Sequence, residues 1–158
     1  MADMDIHFLE RAIELSRQGM FTGLGGPFGC VVVKDGRIIG EGCNQVTTHN
    51  DPTAHAEVVA IRAACAALGN FQLTDCDVYT SCEPCPMCLG AIYWARPRRV
   101  IYANTRGDAA AIDFDDQFIY EEIGKKDTER HIRFIHSPHP KALDVFREWK
   151  DWGNKQVY

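Results

Sequence analysis

The feature that most constrains this chain is a set of side chains suited to one metal ion but placed in two separate segments. His55 and Glu57 occur in the run H-A-E, and Cys85 and Cys88 occur in the run P-C-P-M-C that begins at Pro84. One imidazole and two thiolates suit a tetrahedral Zn²⁺ ion, whereas Mg²⁺ and Ca²⁺ prefer oxygen ligands. The fold must therefore bring both segments to one point, and three protein ligands leave a fourth position for water.

The first segment predicts the start of a helix. Residues two apart lie about 200° apart around a regular helix, so His55 and Glu57 can both face a metal only from its first turn. Residues 51–53 offer capping chemistry, and the alanine-rich run after Glu57 predicts a helix that ends at Gly69. Zinc lowers the pKa of its bound water to about 7, and Glu57 is the candidate that moves the protons of that water.

The second segment predicts another helix start. Cys85 and Cys88 are three residues apart, which places both sulfur atoms on one face of a turn, and Pro84 and Pro86 suit the beginning of a helix. If two helix N-termini meet at the metal, their free N–H groups favour thiolates over thiols and stabilise an anion formed during attack.

Cys82 permits a different site, because it forms an overlapping C-x-x-C pair with Cys85. With Cys82 as a fourth ligand, the zinc site would be a closed structural one in a binding module without turnover. That arrangement leaves Glu57 without a role. We therefore assign Cys82 to packing at the end of a strand, with its side chain directed away from the helix that follows Pro84.

The pattern along the rest of the chain predicts an α/β fold. Apolar residues at helical spacing indicate a helix over residues 5–18, and two strands, 28–33 and 38–43, flank an Asp-Gly hairpin turn. A helix, a strand near Val78, another helix and a strand at residues 99–103 then follow. Strands that alternate with helices imply parallel crossovers.

The C-terminal part of the chain predicts smaller elements. We expect a short aspartate-capped helix within residues 114–120, a strand or extended arm at 132–135, and a last helix over 141–152. The apolar residues of the last helix repeat every three positions, as Leu143, Phe146 and Trp149. This stripe needs a partner surface.

Composition indicates one domain over residues 1–158, because 158 residues with 46% apolar side chains can bury a full core. The net charge of −5 and scattered basic residues disfavour a nucleic-acid partner. The apolar runs are too short for a membrane span, and the N-terminus is not typical of a signal peptide. Seven cysteines, an odd number with two assigned to metal, favour the reducing cytoplasm over a disulfide framework.

With these motifs the chain resembles the cytidine deaminase-like superfamily, whose fold is a three-layer α/β/α sandwich around a mixed sheet of about five strands. The resemblance covers nearly the whole chain. It is greatest to the bacterial guanine deaminases, in residues 25–29 (GGPFG), 50–57 (NDPTAHAE) and 81–96 (SCEPCPMCLGAIYWAR). The tRNA adenosine deaminases share the run DPTAHAE, so the later segments separate the two groups better.

The resemblance implies zinc-dependent hydrolysis of guanine to xanthine and ammonia, with one zinc ion per subunit and with Glu57 protonating N3 of the base. It assigns Phe28 to stacking on the purine, Asn44 to a hydrogen bond with the base edge, and the Ala56 backbone N–H to an acceptor. Trp94 would form a wall of the pocket. Guanosine deaminase and tRNA-specific adenosine deaminase remain the alternative enzymes, and triazine amines are plausible side substrates.

Two further assignments follow from the resemblance. Asp116 would accept a hydrogen bond from the exocyclic amine or relay a proton to the departing ammonia, although the sequence does not decide between Asp115 and Asp116. The similar enzymes are homodimers that exchange a C-terminal segment. Residues 138–158 would accordingly pack on a partner subunit, and Tyr158 would close the pocket of that partner.

Overall fold

The computed structural model describes residues 3–158, with side chains from Met4 onward. Over these residues the elements are α1 (Asp3–Phe21), β1 (Gly29–Lys34), β2 (Arg37–Cys43), α2 (Val46–His49), α3 (Ala56–Leu68), β3 (Cys76–Cys82), α4 (Pro86–Ala95), β4 (Arg99–Asn104), α5 (Arg106–Ala110), α6 (Gln117–Ile123), a 3-10 turn (Asp127–Glu129) and α7 (Pro140–Asp151). They form two compact units, one that ends at Asp116 and one over Gln117–Tyr158.

The first unit is built on a mixed sheet with the strand order β2-β1-β3-β4. Strand β1 pairs antiparallel with both β2 and β3, and β3 pairs parallel with β4. The predicted hairpin turn is confirmed at Asp35 and Gly36, whose φ angles are 49° and 72°. Positive φ at both central positions is the geometry of a type I′ turn, which suits a two-residue hairpin.

Helices cover both faces of this sheet, so the predicted α/β/α arrangement is confirmed. The core against α1 contains Phe8, Val31, Val33 and Tyr79. The core against α3 and α4 contains Cys30, Val32, Ala56, Ala60, Ala64, Leu73, Cys76, Val78 and Ala95. Alternate residues of β1 thus contribute to opposite layers, as the pleat of a strand requires.

Helix α3 approaches strand β2 closely because two positions of the strand lack a side chain. A Cβ atom on Gly40 would lie 2.5 Å from the backbone oxygen of Ala60, and one on Gly42 would lie 2.4 Å from that of Ala56. Real Cβ atoms do not make contacts this short. Gly42 therefore sets the distance at which the first turn of α3 lies from the sheet, and Gly40 sets that of the following turns.

The structure differs from the sequence prediction in its strand count. The sheet has four strands among the described residues, where about five were expected, and residues 132–135 form no strand. A β-strand needs a neighbouring edge for its hydrogen bonds, and apolar character alone does not supply one.

The short helices α2 and α5 were not predicted. A signal for α5 exists, because Thr105 and Asp108 form a reciprocal capping box at its start. The predicted last helix is confirmed as α7 (Pro140–Asp151), while the short helix expected within 114–120 begins only at Gln117. No helix within residues 3–158 is both long enough and apolar enough to span a membrane.

Candidate functional site

The two metal-binding segments meet at the N-termini of α3 and α4. His55 is the N-cap of α3 and Cys85 is the N-cap of α4, and neither cap makes a side-chain hydrogen bond to the helix. The expected capping of α3 from residues 51–53 is wrong. Asp51 Oδ1 instead accepts hydrogen bonds from the backbone N–H and hydroxyl of Thr53, at 2.8 and 2.7 Å. The N-cap position is taken by a residue whose side chain faces the metal site.

The spacing of the three ligand atoms fits a tetrahedral zinc ion. His55 Nδ1 lies 3.5 Å from Cys85 Sγ and 3.5 Å from Cys88 Sγ. Nitrogen at about 2.1 Å and sulfur at about 2.3 Å from a tetrahedral zinc ion would be about 3.6 Å apart. Among the described residues, His55, Cys85 and Cys88 are the one group of three side chains found close enough to hold a metal. The donor set therefore fits zinc.

The charges within the cluster favour a thiolate even before metal binds. A hydrogen bond from Cys88, and a further one from His55, lower the pKa of Cys85 to about 4. The same bond to Cys85 and burial raise the pKa of Cys88, and the bond to Cys85 raises the pKa of His55. Cys88 thus retains a proton that zinc would displace, because the metal binds thiolate and not thiol.

Cys82 is not a member of the ligand group, which agrees with its assignment to packing. The expected direction of its side chain, away from α4, is wrong, because alternate residues of β3 place Cys82 on the face that packs against α3 and α4. Its thiol is buried at the end of β3 and lies 3.6 Å from the backbone oxygen of Thr105. Burial raises its pKa to about 11, so the thiol stays protonated at neutral pH. A zinc ion held by the three side chains of this group would keep a fourth position open, the arrangement of catalytic zinc sites.

Glu57 lies beside the ligand group, in the first turn of α3, and is only 6% exposed. Its Oε2 atom accepts a hydrogen bond from Cys88 Sγ at 3.3 Å, and its Oε1 atom lies 3.2 Å from the hydroxyl of Thr80. Burial raises the pKa of this carboxyl above its usual value of 4.5. A buried carboxyl with a raised pKa next to a metal site is suited to accept and return a proton near neutral pH.

Comparison of the sequence with known protein families shows to which family the chain belongs. Residues 2–104 match the cytidine and deoxycytidylate deaminase zinc-binding region. The chain belongs to the cytidine and deoxycytidylate deaminase family. Its zinc ligands and its family make it a zinc-dependent hydrolytic deaminase.

Individual relatives within this deaminase family are similar over most of their length. The guanine deaminase of Bacillus subtilis (strain 168) is 59% identical over 151 residues, 96% of this chain and 97% of the relative. A crystal structure of guanine deaminase from Bacillus subtilis has a TM-score of 0.96 and 57% identity, covering 100% of this chain and 99% of that one. A tRNA-specific adenosine deaminase of Agrobacterium fabrum is 41% identical over 113 residues, 71% of this chain and 73% of the relative.

Three of the residues that were expected to bind the substrate lie in the first unit, near the starts of β1, α2 and α3. Asn44 is buried, and its Oδ1 accepts hydrogen bonds from the backbone N–H groups of Gly26 and Val46, at 3.3 and 3.2 Å. Its oxygen is thus occupied, and its Nδ2 group is left as a donor. Phe28 directly precedes β1, and Ala56 is the first residue of α3.

Phe114 is a neighbour of this group that the sequence did not assign to binding. Its ring packs edge to face against Phe28, with centroids 4.9 Å apart and an interplanar angle of 86°. A Cβ atom on Gly26 would lie 2.9 Å from the Phe114 ring. Its place in the run F-D-D, two residues before Asp116, was the available signal.

The two candidate aspartates differ in environment. Asp116 is half-buried, whereas Asp115 is exposed. Burial and then the negative charge of Cys85 raise the pKa of Asp116, which indicates that its carboxyl lies within electrostatic range of the metal cluster.

Trp94 lies in the last turn of α4 with 64% of its surface exposed, and Tyr158 is exposed in the second unit. Their predicted roles in the pocket stay predictions.

Proposed function

We propose that this chain catalyses the hydrolytic deamination of guanine to xanthine and ammonia. The observation that carries this proposal is the 59% identity to the Bacillus subtilis guanine deaminase over nearly the whole of both chains. The tRNA-specific adenosine deaminase of Agrobacterium fabrum matches a smaller share at 41% identity. The similarity to the guanine enzyme therefore extends beyond the segments that all zinc deaminases need for their metal.

His55, Cys85 and Cys88 would hold the zinc ion, which when bound supplies a water molecule of lowered pKa at its open position. Glu57 would take a proton from that water at Oε2, the oxygen that faces the ligands. The same carboxyl would then deliver a proton to N3 of guanine, beside the attacked C2 carbon. A single group can do both because burial keeps its pKa raised.

The base would be held by groups of complementary chemistry. Phe28, fixed by its edge-to-face contact with Phe114, offers a face on which a purine stacks. The Asn44 amide, with its oxygen occupied by two backbone groups, presents a donor to an acceptor such as O6 of the base edge. The Ala56 backbone N–H, at the open start of α3, would donate to a second acceptor. Trp94 would form a wall of the same pocket.

Asp116 would receive the exocyclic amine that leaves as ammonia. Its half-buried position and its electrostatic coupling to Cys85 favour it over the exposed Asp115. A carboxylate accepts hydrogen bonds from an amine, and a raised pKa lets it hold the proton that converts the amine into a better leaving group.

We also propose a homodimer in which residues 138–158 pack on the partner subunit and Tyr158 closes the partner's pocket. The support is helix α7, whose apolar side chains are exposed in the single chain, Phe146 to 75%. An exposed apolar stripe is typical of a surface that a partner covers. A reducing compartment such as the cytoplasm suits the free cysteines and the thiolate ligands.

The test of the substrate is ammonia release by the zinc-loaded protein. Guanine, guanosine, cytosine, cytidine, adenine and a tRNA anticodon stem-loop are each incubated with the same preparation, and the product from guanine is identified as xanthine. We expect ammonia from guanine above all. Ammonia from guanosine or the tRNA stem-loop but not from guanine would overturn the substrate, and no ammonia from any of them would favour a binding module.

A further inference from the structure

Strand β3 presents one hydroxyl group to the layer that contains the active site. Cys76, Val78, Thr80 and Cys82 alternate along the same face of β3, toward α3, where two of them belong to the apolar core. Thr80 is 1% exposed. A buried hydroxyl on an otherwise apolar or thiol-bearing face costs free energy unless it is hydrogen-bonded.

The Thr80 hydroxyl has two possible acceptors but only one proton. Its oxygen lies 3.2 Å from Glu57 Oε1 and 3.4 Å from the backbone oxygen of Gly29. An ionised carboxylate is a stronger acceptor than a neutral carbonyl, and the bond to Glu57 is also the shorter one. The hydroxyl therefore donates to the Glu57 carboxylate, which ties the first turn of α3 to the centre of the sheet.

This contact distinguishes the two oxygens of Glu57. Oε1 faces Thr80, whereas Oε2 faces Cys88 at 3.3 Å. A glutamate side chain has three rotatable bonds, and a proton carrier must hold its oxygen within hydrogen-bond reach of the reacting atoms. A fixed Oε1 leaves Oε2 as the oxygen presented to the metal site.

We propose that Thr80 is a positioning residue that holds Oε1 of Glu57 so that Oε2 points at the zinc-bound water and the substrate. Thr80 touches neither zinc nor substrate and acts through Glu57. The inference rests on the proposed role of Glu57 as proton carrier. Its consequence is a loss of turnover that occurs without a loss of zinc, of folding or of substrate binding.

The test uses two pairs of variants that differ only in this hydroxyl. Threonine and Thr80→Val have the same shape, and Thr80→Ser and Thr80→Ala differ by one oxygen atom. For guanine, we expect kcat to fall about ten- to hundredfold in Thr80→Val and Thr80→Ala, while KM changes less than about threefold. Thr80→Ser should recover most of the wild-type kcat, and all three should bind one zinc ion per chain.

Tyr79→Phe is the matched control, because it removes a buried hydroxyl from the next residue of β3 on the opposite face. That hydroxyl bonds Asp5 at 2.6 Å. Its loss should lower the melting temperature and leave kcat unchanged. A general effect of removing any hydroxyl from this strand would lower kcat in Tyr79→Phe as well and would overturn the proposal.

Glu57→Gln, measured in parallel, separates the role of Thr80 from the role of Glu57. If Glu57→Gln is inactive and Thr80→Val has the wild-type kcat, the positioning role is wrong and the proposed function stands. If Glu57→Gln retains turnover, the proton-carrier role of Glu57 is wrong and the positioning role of Thr80 falls with it, whereas guanine deamination itself is contradicted only if the wild type releases no ammonia from guanine. Should Thr80→Val lose zinc or unfold, the Ser and Ala pair decides, and equal kcat values in these two variants overturn the proposal.

Discussion

The environment of Glu57 combines burial with two polar contacts, and this combination determines what a substitution there should do. Glu57→Gln keeps the shape of the side chain but removes its ability to carry a proton. We expect kcat to fall about 10²- to 10⁴-fold, which is the range attributed to general acid–base catalysis. The zinc content should not change. Ammonia release and metal analysis measure the two quantities. Glu41→Gln, which alters only an ion pair with Arg11, is the control.

The pair Asp115 and Asp116 offers a matched test of the leaving-group role. Only Asp116 is half-buried with a pKa raised by burial and by Cys85. Asp116→Asn should retain zinc and lower kcat about tenfold or more, because an amide accepts the amine poorly and cannot donate a proton to it as an acid. Asp115→Asn should have nearly the wild-type kcat. A larger loss in Asp115→Asn would exchange the roles of the two residues.

Residues whose function is encoded in a local motif could be predicted, and residues that act through distant contacts could not. His55, Cys85 and Cys88 carry the spacing that zinc requires, and they come together as expected. Thr80 and Phe114 carry no such pattern. The partner of Thr80 is Glu57 on another element, and that of Phe114 is Phe28, so only the fold brings these pairs into contact.

At the scale of elements, the close approach of α3 to β2 predicts the effect of a glycine substitution. A methyl group on Gly42 would lie 2.4 Å from the Ala56 backbone oxygen, so the first turn of α3 must shift to admit it. Gly42→Ala should lower the free energy of unfolding by about 1 to 3 kcal/mol and weaken zinc binding as the first turn moves. Gly90→Ala in α4 meets open space and should be neutral or slightly stabilising. Urea unfolding and zinc titration of both variants measure the difference.

An ion-pair network ties α1 to the starts of β3 and β4, and it predicts a pH dependence. Hydrogen bonds from Arg98, and then from Arg99, lower the pKa of the nearly buried Asp77 below its usual value of 3.8. A lowered folded-state pKa means that this stabilisation is present above pH 3.8 and is lost as the pH falls through the folded value. Asp77→Asn should therefore melt at a lower temperature than the wild type at pH 7, and the difference should shrink below about pH 4. A constant difference across this range would contradict the network.

The elements themselves were predicted where their ends carry local signals. Gly69 ends α3 with a φ of 59°, as a left-handed C-cap requires, and the Asp35-Gly36 turn closes the hairpin. The N-terminus of α3 was predicted less well, because His55 occupies the cap position that residues 51–53 were expected to fill. The strand count failed for a different reason. Whether a segment such as 132–135 pairs with a neighbouring strand depends on the whole fold and not on its own composition.

At the scale of the whole molecule, the apolar stripe of α7 predicts an association that can be weakened. Phe146 is 75% exposed in the single chain, and a hot-spot residue buried at the centre of an interface contributes about 2 kcal/mol or more to binding. Phe146→Ala should therefore raise the dimer dissociation constant at least about tenfold. Glu148→Ala, on the same helix but with a charged side chain, should leave it nearly unchanged. Sedimentation of both variants over a concentration series measures the constants, and a wild type that is monomeric throughout would contradict the dimer.

Complementation between two defective chains tests whether the C-terminus serves the partner's site. One chain lacks residues 153–158, which follow α7, and has an intact zinc site; the other carries Glu57→Gln and has an intact C-terminus. Each homodimer should be inactive or nearly so. If the C-terminus crosses to the partner, a mixed dimer, purified after co-expression with two different tags, contains one complete site and should have about half of the wild-type activity. If each C-terminus closes the site of its own chain, no site in the mixed dimer is complete. A purified mixed dimer without activity would thus contradict the exchange while leaving the zinc site and the guanine assignment intact.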